Sequence, residues 1–216
     1  MISIGNDGYV ELLETFGSDL TVVNAARVSF NKESEEFNEK DAKLIKYLAS
    51  HNHTSPFFHP QIRFRLKMPI FIAREWFRHT VGFARNEVSR RYVDYTPTVW
   101  VPTQFRARDP NLKQGSKDEF IEMNELMCDI YTKTVGLSID AYKSLIEANV
   151  APEMARAVLP QSMYTEFIET GSIAAYARLC GLRLDPSAQK EIQEYAKAVS
   201  DLLESKFPCS WAALQP

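Results

Sequence analysis

A run of arginines and aromatic residues is the part of the sequence best suited to chemistry. The stretch "REWFRHTVGFARNEVSRRY", positions 74–92, contains five arginines and two glutamates. Guanidinium groups bind phosphates through paired hydrogen bonds, loop amides add donors, and the Ser89 hydroxyl can also donate. Aromatic rings nearby can stack on a planar base. The stretch therefore indicates a phosphorylated aromatic ligand such as a nucleotide or a nucleotide cofactor, and a solvated helix end with structural salt bridges is the alternative.

Two segments of the second half carry further candidates. In "EMARAVLP", Arg156 lies among apolar residues and needs an anionic partner, either a glutamate or a ligand phosphate. "TGSIAAYARLCGLRLD" contains Ser172, Arg178 and Arg183. Small residues at the start of a helix allow a ligand to approach closely, and the helix N-terminus favours an anion. Packing against another helix is the equally compatible alternative.

Metal and nucleophile chemistry find less support in the sequence. All four histidines precede residue 80, and His51 and His53 could ligate a metal ion. No cysteine or carboxylate joins them at ligand-like spacing, so we expect no metal site. The phosphate-binding patterns GxGxxG and GxxxxGK[ST] and the nucleophile pattern GxSxG are missing. We therefore interpret Ser89 as a binding hydroxyl, because a nucleophile would need a base within reach.

The composition is that of a globular protein. The 216 residues are 45% hydrophobic and 25% charged, which predicts a single domain over residues 1–216. A general nucleic-acid binder is usually basic, and the net charge here is −3, so an anion site must be local. The three cysteines, Cys128, Cys180 and Cys209, are widely spaced and predict reduced thiols in a cytoplasmic protein. We expect no signal peptide and no membrane span.

Strands and helices of the first half must position the arginine-rich stretch. "YVELLETF" predicts a strand, and "QIRFRLKM" alternates strictly between apolar and basic residues, as a half-buried strand does. "LTVVNAARVSF" and "NEKDAKLIKYLASHNH" predict helices. Pro69 opens a further helix that must fail near Gly82. The remainder of the arginine-rich stretch is then predicted to be a loop, followed by extended chain.

The second half is predicted to be mainly helical. Ser116 and Glu119 form a capping box for a long helix to about Ala148, which Gly136 could bend. A short helix follows Pro152, a strand covers "SMYTEFIET", and a helix covers "SIAAYARLCG". Asp185 and Pro186 are predicted to cap the last long helix. The pattern is α+β, with a small, mainly antiparallel sheet packed with helices.

Several of these segments together resemble one family, the flavin-dependent thymidylate synthases, or ThyX family. "RHTVGFARNEVSRRY" is similar to the family signature RHRxxSxNExSxRY. "HTSPFFHP", "ARAVLP", "YTEF" and "LRLDPSAQKEIQEYA" resemble other family segments in the same order. The resemblance extends over about residues 9–211 and implies a ThyX-like fold.

The resemblance also implies an activity. Family members convert dUMP to dTMP, with methylenetetrahydrofolate as the carbon donor and NADPH as the reductant through FAD. They are homotetramers whose active sites are shared between subunits, and neither a membrane nor a nucleic acid is expected as a partner. None of the three cysteines lies in the arginine-rich stretch, which fits a route without a cysteine nucleophile. The order of methylene and hydride transfer stays open.

Roles for individual residues follow from the same resemblance. Arg183 matches the arginine that holds and polarises the uracil ring, which implies a catalytic role, and Arg156 matches one that reaches in from another subunit. The positions that match dUMP contacts are Glu75, Glu87, Ser89, Arg91, Arg156 and Arg183. The positions that match FAD contacts are His53, Ser55, Arg78, His79, Thr80, Glu87, Ser172 and Arg178.

The sequence departs from the signature in the loop. Thr80 replaces the second signature arginine, and one extra residue stands between His79 and Asn86. Ser172 and Arg178 stand where some members have asparagines. Two other functions therefore remain open: a degenerate synthase that binds flavin without activity, and a nucleotide- or RNA-binding protein that stacks bases on the loop.

Overall fold

A five-stranded antiparallel sheet forms the centre of the protein. The computed structural model describes residues 1–111 and 115–215. The strands are β1 (Ile2–Ile4), β2 (Gly8–Phe16), β3 (Gln61–Pro69), β4 (Phe83–Glu87) and β5 (Tyr164–Ser172), in the spatial order β1-β2-β3-β5-β4. The predicted α+β class and the predicted strands in "YVELLETF", "QIRFRLKM" and "SMYTEFIET" are confirmed.

The alternation in β3 fixes which face of the sheet is buried. Ile62, Phe64, Leu66 and Met68 are fully buried. Arg63, on the other face, forms an exposed ion pair with Glu14 of β2. Because side chains alternate across a strand, the same β3 register gives β5 one buried face and one more exposed face.

Helices cover the buried face of the sheet. The core includes the large side chains of Trp76, Tyr176, Phe207 and Trp211. Short 3-10 turns lie at Val28–Phe30, Ser55–Phe58 and Arg156–Val158. The helices are α1 (Asp19–Arg27), α2 (Glu39–Ser50), α3 (Ile70–Trp76), α4 (Asn124–Glu147), α5 (Pro152–Ala155), α6 (Ile173–Arg183), α7 (Lys190–Lys206) and α8 (Pro208–Leu214).

The arginine-rich stretch folds differently from the prediction. Helix α3 ends at Trp76, well before Gly82, and residues 83–87 form the edge strand β4 where a loop was predicted. Its register pairs Phe83 with Gly171 and Glu87 with Phe167 of β5. The pairing with β5, which lies far away in the sequence, gives this polar segment its strand conformation.

Two predicted helix starts were also wrong. Helix α4 begins at Asn124 because the Ser116 hydroxyl accepts a hydrogen bond from Arg106 Nε, 2.8 Å away, and does not cap a helix. Helix α7 begins at Lys190, since the Asp185 carboxylate closes a turn by accepting from the Ser187 amide at 2.8 Å. Gly136 lies within α4 and does not interrupt it.

Among the described residues, no helix combines the length and the apolar character that crossing a bilayer requires.

Candidate functional site

Three of the residues assigned to dUMP meet in one cleft, here called the first cleft. It encloses roughly 720 Å³ between α3, the end of β4, β5 and the turn at Arg156. Glu87, Ser89 and Arg156 all line it. Residues from distant parts of the sequence therefore reach one cleft within a single chain, including Arg156, which the resemblance had assigned to another subunit.

The first cleft carries positive charge that is only partly neutralised. Arg74 lines it, is exposed, and has no hydrogen bond or ion pair with the described residues. Lys67 also lines it, but its Nζ lies 2.6 Å from Asp7. Arg156 is exposed and donates through Nε to the carbonyl oxygen of Glu153 at 3.2 Å. Arg74 and Arg156 are thus free to bind an anion.

Polar groups of β4 and the turn after it are oriented by local hydrogen bonds. Thr165 Oγ1 donates to Glu87 Oε1 at 2.5 Å. The Ser89 hydroxyl accepts from the Arg91 amide at 3.3 Å. Arg91 itself is not part of the cleft lining, and its Nε lies 3.8 Å from a carboxylate oxygen of Glu153. Arg91 must turn away from Glu153 to contact a ligand in this cleft.

The remaining two dUMP residues, Glu75 and Arg183, lie in a second cleft. This cleft encloses roughly 990 Å³ and, among the described residues, has no lining residue in common with the first. Arg183 forms an ion pair with the Glu75 carboxylate and donates through Nε to His79 Nε2 at 2.9 Å. The residues assigned to dUMP are therefore divided between two surfaces of one chain.

His79 is held in its neutral form beside Arg183. Burial, together with the positive charges of Arg183, Arg85 and Arg178, lowers the pKa of His79 to about 4. Because an arginine N–H can only donate, the hydrogen bond to Nε2 also requires that this nitrogen be unprotonated. At neutral pH, His79 therefore has its one N–H at Nδ1.

The other residues assigned to FAD occupy varied surroundings. Arg78 is exposed and has no side-chain partner among the described residues, and Thr80 is exposed as well. Arg178 donates to the carbonyl oxygen of Val81 at 2.5 Å. Ser172 is fully buried, and its hydroxyl accepts from the Ala175 amide at 3.2 Å, which caps α6. Arg78 is thus the candidate whose guanidinium is most available to a phosphate.

His53 and Ser55 lie in an exposed turn next to the start of α6. The 3-10 turn Ser55–Phe58 packs against α6. Gly82 approaches both elements, because a Cβ on it would lie 3.0 Å from Ala175 Cβ and 3.7 Å from Phe58. Within residues 1–111 and 115–215, no three side chains of His, Cys, Asp or Glu converge as metal ligands would.

Sequence analysis missed three residues of this region. Arg74 and Lys67 line the first cleft, and only the spacing of Arg74 from Arg78 and the alternation of β3 hinted at their placement. The third is Glu169, a fully buried carboxylate paired with Arg85. No pattern in the sequence connects these two residues, because their contact depends on the pairing of β4 with β5.

Comparison with known proteins shows to which family the chain belongs. The family model described as thymidylate synthase complementing protein matches residues 11–209. A flavin-dependent thymidylate synthase from Thermus thermophilus is 38% identical over 214 residues, which are 99% of this chain and 78% of the relative. The chain belongs to the family of flavin-dependent thymidylate synthases.

Other flavin-dependent thymidylate synthases match over similar lengths. The protein of that name from Kosmotoga olearia is 38% identical over 98% of this chain and 92% of its own length. Among solved structures, the UMP/dUMP methylase PolB from Streptomyces cacaoi, bound with 5-Br dUMP, superposes with a TM-score of 0.86. It is 29% identical, and the match covers 98% of this chain and 96% of that one. The predicted ThyX-like fold is thereby confirmed.

Proposed function

We propose that this member of the flavin-dependent thymidylate synthases converts dUMP to dTMP. It takes the carbon from methylenetetrahydrofolate and the reducing equivalents from NADPH through FAD. The observation that carries the proposal is the first cleft, in which Glu87, Ser89 and Arg156 meet. We place the enzyme in the cytoplasm, where these substrates are available and its three free cysteines would stay reduced.

The first cleft is suited to the phosphate end of dUMP. Arg74 and Arg156 present exposed guanidinium groups, and charge-assisted hydrogen bonds from such groups are the strongest that phosphates receive. The hydroxyl of Ser89 adds a neutral donor. Glu87 brings a carboxylate that can accept from a sugar hydroxyl or a ring N–H but would repel a phosphate, so we orient the phosphate toward the arginines.

The second cleft is suited to the pyrimidine ring. Methylation at C5 requires electron density at that carbon, and negative charge then develops on the ring oxygens. Arg183 is already oriented by Glu75 and His79, so it can donate to such an oxygen with little reorganisation. Preorganised donors of this kind contribute about 2.7–4 kcal/mol to transition-state stabilisation.

The charge distribution fits a flavin dinucleotide beside the pyrimidine. When bound, FAD supplies hydride transfer. Arg78, whose guanidinium has no partner among the described residues, would bind its pyrophosphate, and Arg178 would add positive charge nearby. Neutral His79 would offer its Nδ1–H as a donor. The exposed turn with His53 and Ser55 would form the rim of the same site.

A complete site then requires two copies of the chain. The pyrimidine and the phosphate of one dUMP must contact Arg183 and Arg156 together, yet these residues line separate clefts of one chain. We propose that the homotetramer implied by the family resemblance brings the first cleft of one subunit to face the second cleft of another. Leu126, Ile130 and Leu137 are exposed at helical spacing on α4 and provide an apolar surface for such assembly.

We propose a route without a cysteine nucleophile. None of the three cysteines lines either cleft. Burial raises the pKa of Cys180 far above its usual range, which disfavours the thiolate. Cys209 is also raised in pKa, by burial first and then by the charge of Asp19. We therefore expect a variant with all three cysteines replaced by serine or alanine to keep dTMP formation.

Spectroscopy and product analysis together test the proposal. The purified protein, loaded with FAD, is expected to lose its flavin absorption when NADPH is added without oxygen. Adding dUMP and methylenetetrahydrofolate should then yield dTMP, and UMP is assayed in parallel because a structural relative is named for both nucleotides. Arg183→Ala should abolish dTMP formation while FAD stays bound. Flavin binding without dTMP formation would identify a degenerate synthase. Failure to bind FAD would favour a nucleotide- or RNA-binding protein.

A further inference from the structure

A buried ion pair joins β4 to β5 and contacts helix α3. Glu169 of β5 is fully buried and forms an ion pair with Arg85 of β4, whose side chain is 14% exposed. Glu169 also accepts from Trp76 Nε1, at 3.2 Å and 3.3 Å to its two oxygens. One carboxylate therefore contacts both the edge strand and helix α3.

The surroundings of the pair limit how much it contributes to the stability of the fold. Burial raises the pKa of Glu169, and Arg85 and Trp76 only partly offset this rise. The Arg85 guanidinium lies 4.8 Å from the Phe83 ring centre and 5.3 Å from that of Phe77, and its Nη2 is buried without a hydrogen-bond partner among the described residues. Replacing such a pair with apolar side chains is often neutral or stabilising, so a gain in stability does not by itself account for this pair, and a role in conformational specificity is the alternative.

The strand that holds Arg85 needs such specificity. β4 is five residues long, lies at the edge of the sheet and pairs only with β5. A slip of one residue would turn every side chain to the opposite face. In the observed register Arg85 stands opposite Glu169, and Glu87 stands opposite Phe167 with its carboxylate bound by Thr165. Moving Arg85 would therefore displace Glu87 and the following Ser89 from the first cleft.

Helix α3 depends on the same carboxylate. Trp76 is its last residue, and it directly follows Glu75 and precedes His79 by three positions. Glu169 thus ties the end of β4, which supplies the first cleft, to the end of α3, which supplies the second. No other described carboxylate contacts both elements.

We propose that Arg85 and Glu169 are positioning residues that set the register of β4 and so place Glu87 and Ser89 for nucleotide binding. The consequence for dUMP depends on the proposed function, whereas the register itself does not. The rival explanation is that the pair only stabilises the fold. The two differ in what happens when both charges are removed together.

The test compares single and double replacements in the full chain. Arg85→Met and Glu169→Leu each leave one buried charge without its partner and should lower the melting temperature. The double variant R85M/E169L removes both charges and should recover most of that temperature. We nevertheless expect its segment 83–89 to exchange amide hydrogens at least about tenfold faster than in the wild type, because β4 opens or shifts more easily.

Nucleotide binding gives the second readout. The dissociation constant for dUMP should rise about tenfold in the double variant, and FAD affinity should change less, because of the two displaced residues, Glu87 and Ser89, only Glu87 is also assigned to FAD. Leu203→Ala is the matched control, since Leu203 is fully buried in α7 and its truncation lowers stability away from β4. This control should lose melting temperature but keep wild-type exchange at 83–89 and wild-type affinity.

The outcomes separate the inference from the proposed activity. A double variant with wild-type exchange at 83–89 and wild-type dUMP affinity would overturn the positioning role. A double variant as unstable as the single variants would also overturn it and leave stability as the explanation. If the wild-type protein bound no dUMP, the proposed function would fail, while the exchange measurement would still decide whether the pair sets the register of β4.

Discussion

At the scale of single residues, the arginines of this protein differ in whether their side chains already have partners within the fold. Arg85 and Arg183 are engaged with carboxylates, and Arg90 is buried with its guanidinium over the Tyr95 ring. Arg74 and Arg78 are exposed without partners among the described residues. The sequence could show that arginines are concentrated here, but not which of them remain available to a ligand. That distinction depends on partners such as Glu169, 84 positions after Arg85.

Arg74 is the residue whose role in substrate binding is easiest to isolate. We predict that Arg74→Ala raises KM for dUMP about tenfold or more, because a hydrogen bond to a charged group contributes roughly 1.5–3 kcal/mol. Turnover at saturating dUMP should change little, since Arg74 lies in the cleft assigned to the phosphate. Steady-state kinetics measures this, with Arg63→Ala as a control, because Arg63 lines neither cleft and forms an ion pair with Glu14. An unchanged KM would remove Arg74 from the nucleotide site.

His79 makes the stability of the protein sensitive to acid. Its pKa is about 4 in the folded protein, below its usual 6.5, so between these values the unfolded chain binds more protons. We predict that the free energy of unfolding falls as pH drops from 6.5 toward 4, and that His79→Gln reduces this dependence. Urea titrations of the FAD-free protein at several pH values measure it. His59→Gln, at an exposed position, should keep the wild-type dependence, and equal slopes in all three proteins would contradict the prediction.

At the scale of elements, the strands with strong alternation and the amphipathic helix α2 followed from the sequence, and the elements made by distant partners did not. The apolar positions of β3 predicted its buried face, because the pattern and the burial have the same period. β4 has no such pattern, and it becomes a strand only because β5 supplies hydrogen bonds. The capping box predicted at Ser116 did not form for a similar reason, because the serine hydroxyl accepts a hydrogen bond from Arg106 instead. The sequence indicated a set of candidate site residues, but it could not indicate how the fold divides them between two clefts.

Helix α6 offers a test of whether a residue assigned to FAD acts through the helix. The Ser172 hydroxyl accepts from the Ala175 amide, so Ser172→Ala should lower the free energy of unfolding by about 1 kcal/mol. Ser172→Asn, which keeps a capping oxygen, should lose less. Chemical denaturation without FAD isolates the cap from any contact with the cofactor. If the alanine variant lost stability only when FAD was bound, the hydroxyl would act on the cofactor instead.

At the scale of the whole molecule, the two clefts determine how the protein can function. Arg156 and Arg183 line clefts that have no described residue in common, so the two halves of the proposed site lie in separate clefts of one chain. A closed assembly solves this geometry, because each interface between copies can join the first cleft of one subunit to the second cleft of its neighbour. Every complete site then contains residues from two chains, and every chain takes part in two sites.

This arrangement predicts that two inactive variants restore activity when they are mixed. Arg156→Ala damages only the first cleft and Arg183→Ala only the second, so each homo-oligomer should form almost no dTMP at a dUMP concentration well below the KM of the Arg156→Ala variant. After subunits exchange in an equal mixture, a site receives an intact first cleft half of the time and an intact second cleft half of the time. About a quarter of the sites should therefore be active in such a symmetric assembly.

The measurement is the rate of dTMP formation before and after exchange, with sedimentation to confirm assembly. The double variant R156A/R183A mixed with either single variant is the control, because no combination of those chains yields a site with both halves intact. Sites contained within one chain would instead leave every mixture inactive.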